Sequence, residues 1–124
     1  MKMKVIKAVE GYQALKRIGK NAFPYKTAKA MYDMRKLLEN QFEFYQEQEK
    51  TLIEKYGGKP GEDGAVSFPD ILHKLGFLKE RQEMDQSEID LEITPVNVRE
   101  DSLIEISPDD IEVLEGLVTI GKEG

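Results

Sequence analysis

The stretch from Pro24 to Tyr56 constrains the fold more than any other feature, because neither glycine nor a second proline interrupts it. At about 1.5 Å per residue, a helix over this stretch would extend roughly 50 Å. A helix of that length is far above the globular average and is stable only when one face packs against a partner. The sequence therefore predicts a long helix over residues 24–56, ended by Gly57 and Gly58.

Heptad spacing indicates where this helix meets its partner, since mostly apolar residues recur at alternating intervals of three and four. The predicted interface, called here the heptad seam, comprises Met31, Arg35, Leu38, Phe42, Tyr45, Glu49 and Leu52. Arg35 and Glu49 either set the register of a coiled coil or lie at the edge of a globular contact. We expect the first partner to be the preceding helix, folded back as a hairpin, with the remaining length available to a second copy.

The preceding helix is predicted over residues 4–18, where apolar side chains repeat at helical spacing. Val5, Val9, Tyr12, Leu15 and Ile18 form its apolar face, and Gly19 follows as the stop. Residues 1–56 are thus predicted to form a helical hairpin.

Turn-forming residues fill the segment 57–68, which is predicted to be a linker with a tight turn at Asp63-Gly64. A helix is predicted to follow, with Ser67 and Asp70 as a capping box. Its predicted buried face consists of Ile71, Leu72, Leu75 and Leu78.

The apolar period then changes from 3.6 to 2, which predicts a strand over residues 88–93, further strand residues at Val96 and Val98, and a second short strand over residues 103–106. Ser107 and Pro108 predict the start of a final helix that runs to Gly121. We expect one domain over residues 1–124, in which the unit 69–120 packs on the hairpin. The predicted fold class is α+β, mostly helical.

Charge is segregated along the chain, although the formal net charge is only -6. Residues 1–60 carry a net charge of +6 and residues 61–124 carry -12. The acidic half could solubilise the protein, imitate nucleic-acid phosphates or attract the basic half of another copy.

Several function classes find little support in the sequence. There is no cysteine for a disulfide or a thiolate–metal site, no run of about 20 apolar residues for a membrane span and no apolar signal segment. The single histidine, His73, has no sequence motif of a nucleophile or base around it. We therefore predict no enzymatic activity, no cofactor and no metal, and a cytoplasmic location.

The N-terminal hairpin also combines lysine and arginine residues with aromatic residues. This combination is typical of proteins that bind single-stranded nucleic acid. The candidate contact residues are Lys16, Arg17, Lys20, Tyr25, Lys26 and Lys29. The alternative explanation is that these cations only solvate the outer face of the hairpin.

Three landmarks, Phe-Tyr-Gln-Glu at 44–47, Glu-Lys-Tyr-Gly at 54–57 and Ser-Pro-Asp-Asp-Ile at 107–111, carry a resemblance to known proteins. With the strand at 88–93 they resemble a family of small proteins of unknown function encoded by tailed phages and prophages of Gram-positive bacteria. The segment 57–68 is shorter here than the corresponding hairpin of that family. The resemblance implies a phage origin, placing the protein in the host-cell cytoplasm or the virion, and supplies no catalytic residues.

These observations predict a non-enzymatic accessory protein that acts by protein–protein interaction, in assembly or in binding a host factor. We expect it to form homo-oligomers through the heptad seam. The alternative function is nucleic-acid binding by the basic hairpin.

Overall fold

The computed structural model describes residues 1–99 and 106–121. Its fold is α+β and mostly helical, with a long helix and a small strand-and-helix unit, as predicted. The elements in chain order are β1 (Lys2–Lys4), α1 (Val5–Ile18), α2 (Tyr25–Lys55), β2 (Lys59–Pro60), β3 (Val66–Ser67), α3 (Ile71–Gln86), β4 (Glu88–Asp90), β5 (Val96–Arg99), α4 (Pro108–Val113) and β6 (Val118–Gly121).

Helices α1 and α2 pack closely as the predicted hairpin, and Gly11 lies at their contact. A Cβ atom at Gly11 would approach Leu38 Cδ1 to 3.5 Å and Leu117 Cδ1 to 2.9 Å. The absence of a side chain therefore lets α1 approach both α2 and the C-terminal unit. Nearby, the rings of Tyr12 and Phe42 stack in a tilted pair with centroids 4.7 Å apart.

The core is a cluster of buried apolar side chains that extends from the hairpin into the C-terminal unit. Its most enclosed members include Ile18 from α1, Leu38 from α2, Val98 from β5 and Leu117 from the turn before β6. Of the apolar face predicted for the first helix, Val9, Tyr12, Leu15 and Ile18 are buried, and Val5 is half-buried. On α2, Met34 is buried between Met31 and Leu38, a position that the heptad frame omitted.

Helix α3 packs along the C-terminal half of α2 through polar contacts. The Lys55 ammonium lies 2.8 Å from Glu80, and Arg81 lies 3.0 Å from Glu49. Closer to the middle of α2, the Tyr45 hydroxyl donates to an Asp85 oxygen at 2.7 Å.

The predicted orientation of α3 is wrong: Ile71, Leu72, Leu75 and Leu78 face solvent. Phe77 is the buried apolar residue of the helix and packs against Phe68 with ring centroids 5.0 Å apart. Because Phe77 and the polar contacts to α2 hold the opposite face of α3, the four aliphatic side chains turn outward.

The cap of α3 also differs from the prediction. Asp70 caps the helix by accepting a hydrogen bond from the His73 backbone N–H at 2.9 Å. Ser67 instead lies in β3, opposite Lys59 of β2, in the short hairpin that the predicted turn at Gly64 closes.

Strand pairing brings distant parts of the chain together. Strand β1 runs antiparallel to β4, with Met3 opposite Ile89, and this N-terminal strand was not predicted. The predicted strand over 88–93 ends at Asp90. Strands β5 and β6 are parallel, with Val96 opposite Val118.

The final helix begins as predicted, with the Ser107 hydroxyl accepting from the Asp110 N–H at 3.1 Å and Pro108 in the first turn. It ends at Val113, not at Gly121. Gly116 has a φ of +84°, a left-handed conformation that leads the chain into β6. The strand predicted over 103–106 falls on residues outside the described ranges, apart from Ile106, which is not in a strand.

Candidate interaction surfaces

The heptad seam is largely used for packing within one chain. Met31, Leu38 and Tyr45 are buried, and Phe42 packs against Tyr12 of α1. A partner helix would reach these side chains only by displacing α1 or α3.

The remaining seam residues, Arg35, Glu49 and Leu52, are half-buried. The Arg35 guanidinium lies 5.6 Å from the centroid of the Tyr32 ring, and Glu49 pairs with Arg81 of α3. Glu49 therefore contributes to the contact between α2 and α3, whereas the Arg35–Tyr32 contact lies within α2.

The structure distributes the candidate nucleic-acid contacts over several surfaces. Arg17 forms an ion pair with Asp110, in which Nη2 and Nε of Arg17 donate hydrogen bonds to Oδ1 of Asp110 at 2.6 and 2.9 Å. These hydrogen bonds hold the pKa of the buried Asp110 carboxyl below its ordinary value. Lys16 lies over the Tyr12 ring at 5.6 Å, and Lys20 is exposed in the turn after α1.

Four side chains on the outer face of α2 form a continuous surface, called here the tyrosine–lysine stripe. Tyr25, Lys29, Tyr32 and Lys36 recur at intervals of four, three and four, which places them on one side of the helix. Tyr25 is 83% exposed, and the Lys29 and Lys36 ammonium groups lie 5.4 and 5.6 Å from the Tyr32 ring centroid.

The cations of this stripe are partly neutralised by neighbouring acids. The Lys29 ammonium lies 2.8 Å from Asp33, which raises the pKa of Lys29. Lys36 lies 3.3 Å from Glu39. Lys26 is not part of the stripe. It lines a cleft between α2 and the segment before β5.

The outward side chains of α3 form a second surface, called here the α3 face: Ile71, Leu72, Leu75 and Leu78. Their exposed fractions are 64%, 76%, 54% and 45%. Single exposed aliphatic residues are common on proteins, but four on one helical face form the kind of contiguous patch that marks a binding surface.

An apolar depression of about 470 Å³ lies between α4 and β6 and is called here the α4–β6 groove. Ile111 and Ile120, which are 47% and 42% exposed, line it with the half-buried Ile106. The carboxylate-bearing residues Glu112 and Glu115 border the same depression. Sequence reasoning missed this groove because the predicted long final helix would have contained no strand to form its second wall.

His73 is placed by the start of α3. Its Nδ1 atom lies 2.7 Å from Asp70 Oδ1, and both side chains are about half exposed. Hydrogen bonding to His73 lowers the pKa of Asp70. The contact thus belongs to the cap of α3, at one end of the α3 face.

Two kinds of feature are absent from the described residues. Over 1–99 and 106–121, no cluster of three or more acidic, histidine or cysteine side chains is arranged to hold a metal ion. No helix within the same ranges is both long enough and apolar enough to cross a membrane.

Comparison with known proteins adds no relative from which a role could be transferred. No family model, curated protein or solved structure matches the chain.

Proposed function

We propose that this protein is a non-enzymatic accessory protein that acts by protein–protein interaction and that it binds through the α3 face. The observation that carries the proposal is the exposure of Ile71, Leu72, Leu75 and Leu78 on one side of α3. The resemblance to small phage proteins favours the same class of function, in the host-cell cytoplasm or in the virion.

The size of the apolar surface sets what kind of binding it supports. Full burial of an aliphatic side chain contributes about 1.5–3 kcal/mol, so completing the burial of these four contributes roughly 4–7 kcal/mol. Association costs of about 4–15 kcal/mol oppose this gain. The α3 face therefore serves as the centre of an interface and needs flanking contacts for stable binding.

The α3 face replaces the heptad seam as the proposed surface because of accessibility. Leu38 is fully buried in the seam, whereas Leu72 is 76% exposed. A partner can cover Leu72 without unfolding any part of the chain.

A capture experiment tests the proposal. Wild-type protein, a Leu72→Glu/Leu75→Glu variant and a Gln13→Glu/Gln46→Glu control are immobilised and exposed to lysate of the host bacterium. The control adds the same charge at exposed positions on α1 and α2. We expect at least one protein, which can be the chain itself, to be retained by wild type and control and lost with the α3 variant.

Identical retention by all three proteins would contradict the proposal, provided that circular dichroism shows the same fold. Because the substituted leucines are exposed, we expect the free energy of unfolding to change by less than about 0.5 kcal/mol.

The tyrosine–lysine stripe favours a second candidate function, the binding of single-stranded nucleic acid. Exposed rings alternate with cations along it, so bases could stack on Tyr25 while Lys29 and Lys36 contact phosphates. Fluorescence anisotropy with a labelled oligothymidylate at low salt tests this function. We expect weaker binding by Tyr25→Ala and Lys29→Glu variants than by Lys20→Glu, which leaves the stripe intact. Equal effects of all three variants, or no binding, would remove this candidate.

A further inference from the structure

We propose that the occupant of the α3 face is the α4–β6 groove of a second copy, so that the chains assemble head to tail. This inference rests on the proposed function and names its partner. It starts from the presence of two apolar surfaces on one chain: the α3 face, which projects from a helix, and the groove, which is concave.

The two surfaces lie at opposite ends of the long helix. The first half of α3 meets the end of α2, where the Tyr56 ring lies against Gly76 and Lys55 pairs with Glu80. The C-terminal unit meets the beginning of α2, because β5 packs there and β6 pairs with β5. A chain therefore cannot fill its own groove with its own α3 face, and a second copy can.

Charge distinguishes the two surfaces and makes them complementary. Lys74 lies beside one edge of the α3 face, and Lys79 lies seven residues after Leu72, on the same side of the helix as Leu72 at the other edge. Glu112 and Glu115 border the groove. Within residues 1–99 and 106–121, none of these four side chains lies in an ion pair, although the Lys7 ammonium donates to the backbone carbonyl of Glu115 and lines a depression beside Glu112 and Glu115.

The same charges disfavour the simplest alternative, a symmetric dimer in which two α3 faces pack antiparallel. In that arrangement equivalent flanks face each other, so Lys74 would oppose Lys74 of the other copy. Like charges at the edge of an interface oppose association, whereas lysines facing glutamates favour it. Charge therefore selects the groove over a second α3 face.

The shapes are also compatible with this arrangement. Leu72, Leu75 and Leu78 recur at intervals of three along about one and a half turns of helix, the pattern by which an amphipathic helix fills an apolar groove. The opposing wall carries Ile111 and Ile120. Because this contact joins two different surfaces, a dimer still carries one unused face and one unused groove, and assembly continues into a ring or a filament.

A mixing experiment tests the inference. Leu75→Glu inactivates the face and leaves the groove intact, and Ile111→Glu does the reverse; both positions are about half exposed. Analytical ultracentrifugation of the wild type should show species larger than dimers that grow with concentration. Each variant alone should remain monomeric, and an equimolar mixture should form a dimer that does not grow further.

Several results would overturn the inference. A monomeric wild type at about 100 μM would do so, because such an interface would be weaker than the proposed assembly requires. Persistent dimerisation of the Ile111→Glu variant, lost in Leu75→Glu, would indicate a symmetric α3 dimer. A mixture that stays monomeric would also contradict head-to-tail assembly, if circular dichroism shows that both variants are folded.

Charge exchange provides a second, independent measurement. Lys74→Glu/Lys79→Glu should raise the dissociation constant at least about tenfold, by like-charge repulsion at the groove. Glu112→Lys/Glu115→Lys should do the same, and a chain that carries all four substitutions should assemble again through the reversed pair. Failure to restore assembly would overturn the assigned pairing.

The outcomes separate this inference from the proposed function. A wild type that is monomeric but captures another protein in an α3-dependent manner would overturn head-to-tail assembly alone. Assembly and capture that are both insensitive to Leu72→Glu/Leu75→Glu would overturn both.

Discussion

At the scale of single residues, Arg17 and Asp110 show how the fold can use a charge that the sequence presents as surface. Arg17 lies in a basic run and was a candidate phosphate contact. In the structure it joins α1 to α4 through Asp110, whose side chain is only 7% exposed. A carboxylate that is this buried needs its cation, so Arg17 stabilises the contact between the two helices.

This pair predicts a pH-dependent stability. The folded pKa of Asp110 is lowered, so the pair contributes above about pH 4 and its contribution is lost as the pH falls through the folded pKa. Arg17→Met should reduce the free energy of unfolding by about 1 kcal/mol at pH 7, after allowance for the half-exposed guanidinium. Urea denaturation should show that the difference in free energy of unfolding between Arg17→Met and wild type becomes smaller towards pH 2.

Lys16→Met is the matched control, because Lys16 contacts the Tyr12 ring and no carboxylate in the described part of the chain. The difference in free energy of unfolding between Lys16→Met and wild type should not change with the titration of Asp110. An Arg17→Met difference that stays constant from pH 7 to pH 2 would contradict the role assigned to the pair.

At the scale of elements, α3 shows that an apolar face need not be the buried one. Its outward side carries four large aliphatic residues, and Phe77 is its buried apolar residue. Contacts such as Tyr45 with Asp85 hold the inner side against α2. The result is a helix docked mainly through polar groups and one aromatic ring, which leaves its hydrophobic surface free for another molecule.

The start of α3 predicts a stability effect at Asp70 and none at Ser67. Asp70→Ala removes the cap on the His73 N–H and should cost about 1 kcal/mol. Ser67→Ala should cost less than about 0.5 kcal/mol, since Ser67 is exposed in β3. Urea denaturation followed by circular dichroism measures both; a larger effect at Ser67 would mean that the helix starts earlier.

At the scale of the whole molecule, one apolar cluster joins the hairpin to the C-terminal unit. Leu117 is fully buried and reaches the Gly11 contact on α1, and Val98 is equally enclosed in β5. The opposed charges of the two halves meet where the halves pack together, since Arg17 pairs with Asp110 and Lys55 pairs with Glu80. Lys74 and Lys79 are a local exception within the acidic half, and they flank the α3 face.

Leu117→Ala should therefore destabilise the whole chain by about 3 kcal/mol, because the cavity forms where α1, α2 and the C-terminal unit meet. Ile120→Ala, at a side chain 42% exposed in the same segment, should cost less than about 1 kcal/mol. Thermal unfolding should shift as one transition by far- and near-ultraviolet circular dichroism. Separate transitions for the two signals would show that the C-terminal unit unfolds independently.

The sequence by itself determined the helices and where several of them begin and end. The uninterrupted stretch after Pro24 becomes α2, and Ser107 with Pro108 starts α4, because helix propensity, capping and breaking act between near neighbours. The fold class followed from the same local rules.

Only the tertiary structure decided which faces are buried and which remain for a partner. The heptad seam packs inside the chain, whereas the equally apolar face of α3 is exposed. Strand β1 and the groove wall at β6 likewise depend on pairing with residues far away in the sequence. Periodicity shows that a face is apolar. Whether that face is buried depends on which of the apolar faces pack into the single core. In α3, Phe77 and the polar contacts with α2 hold the other side of the helix against the rest of the chain, so the apolar face stays exposed.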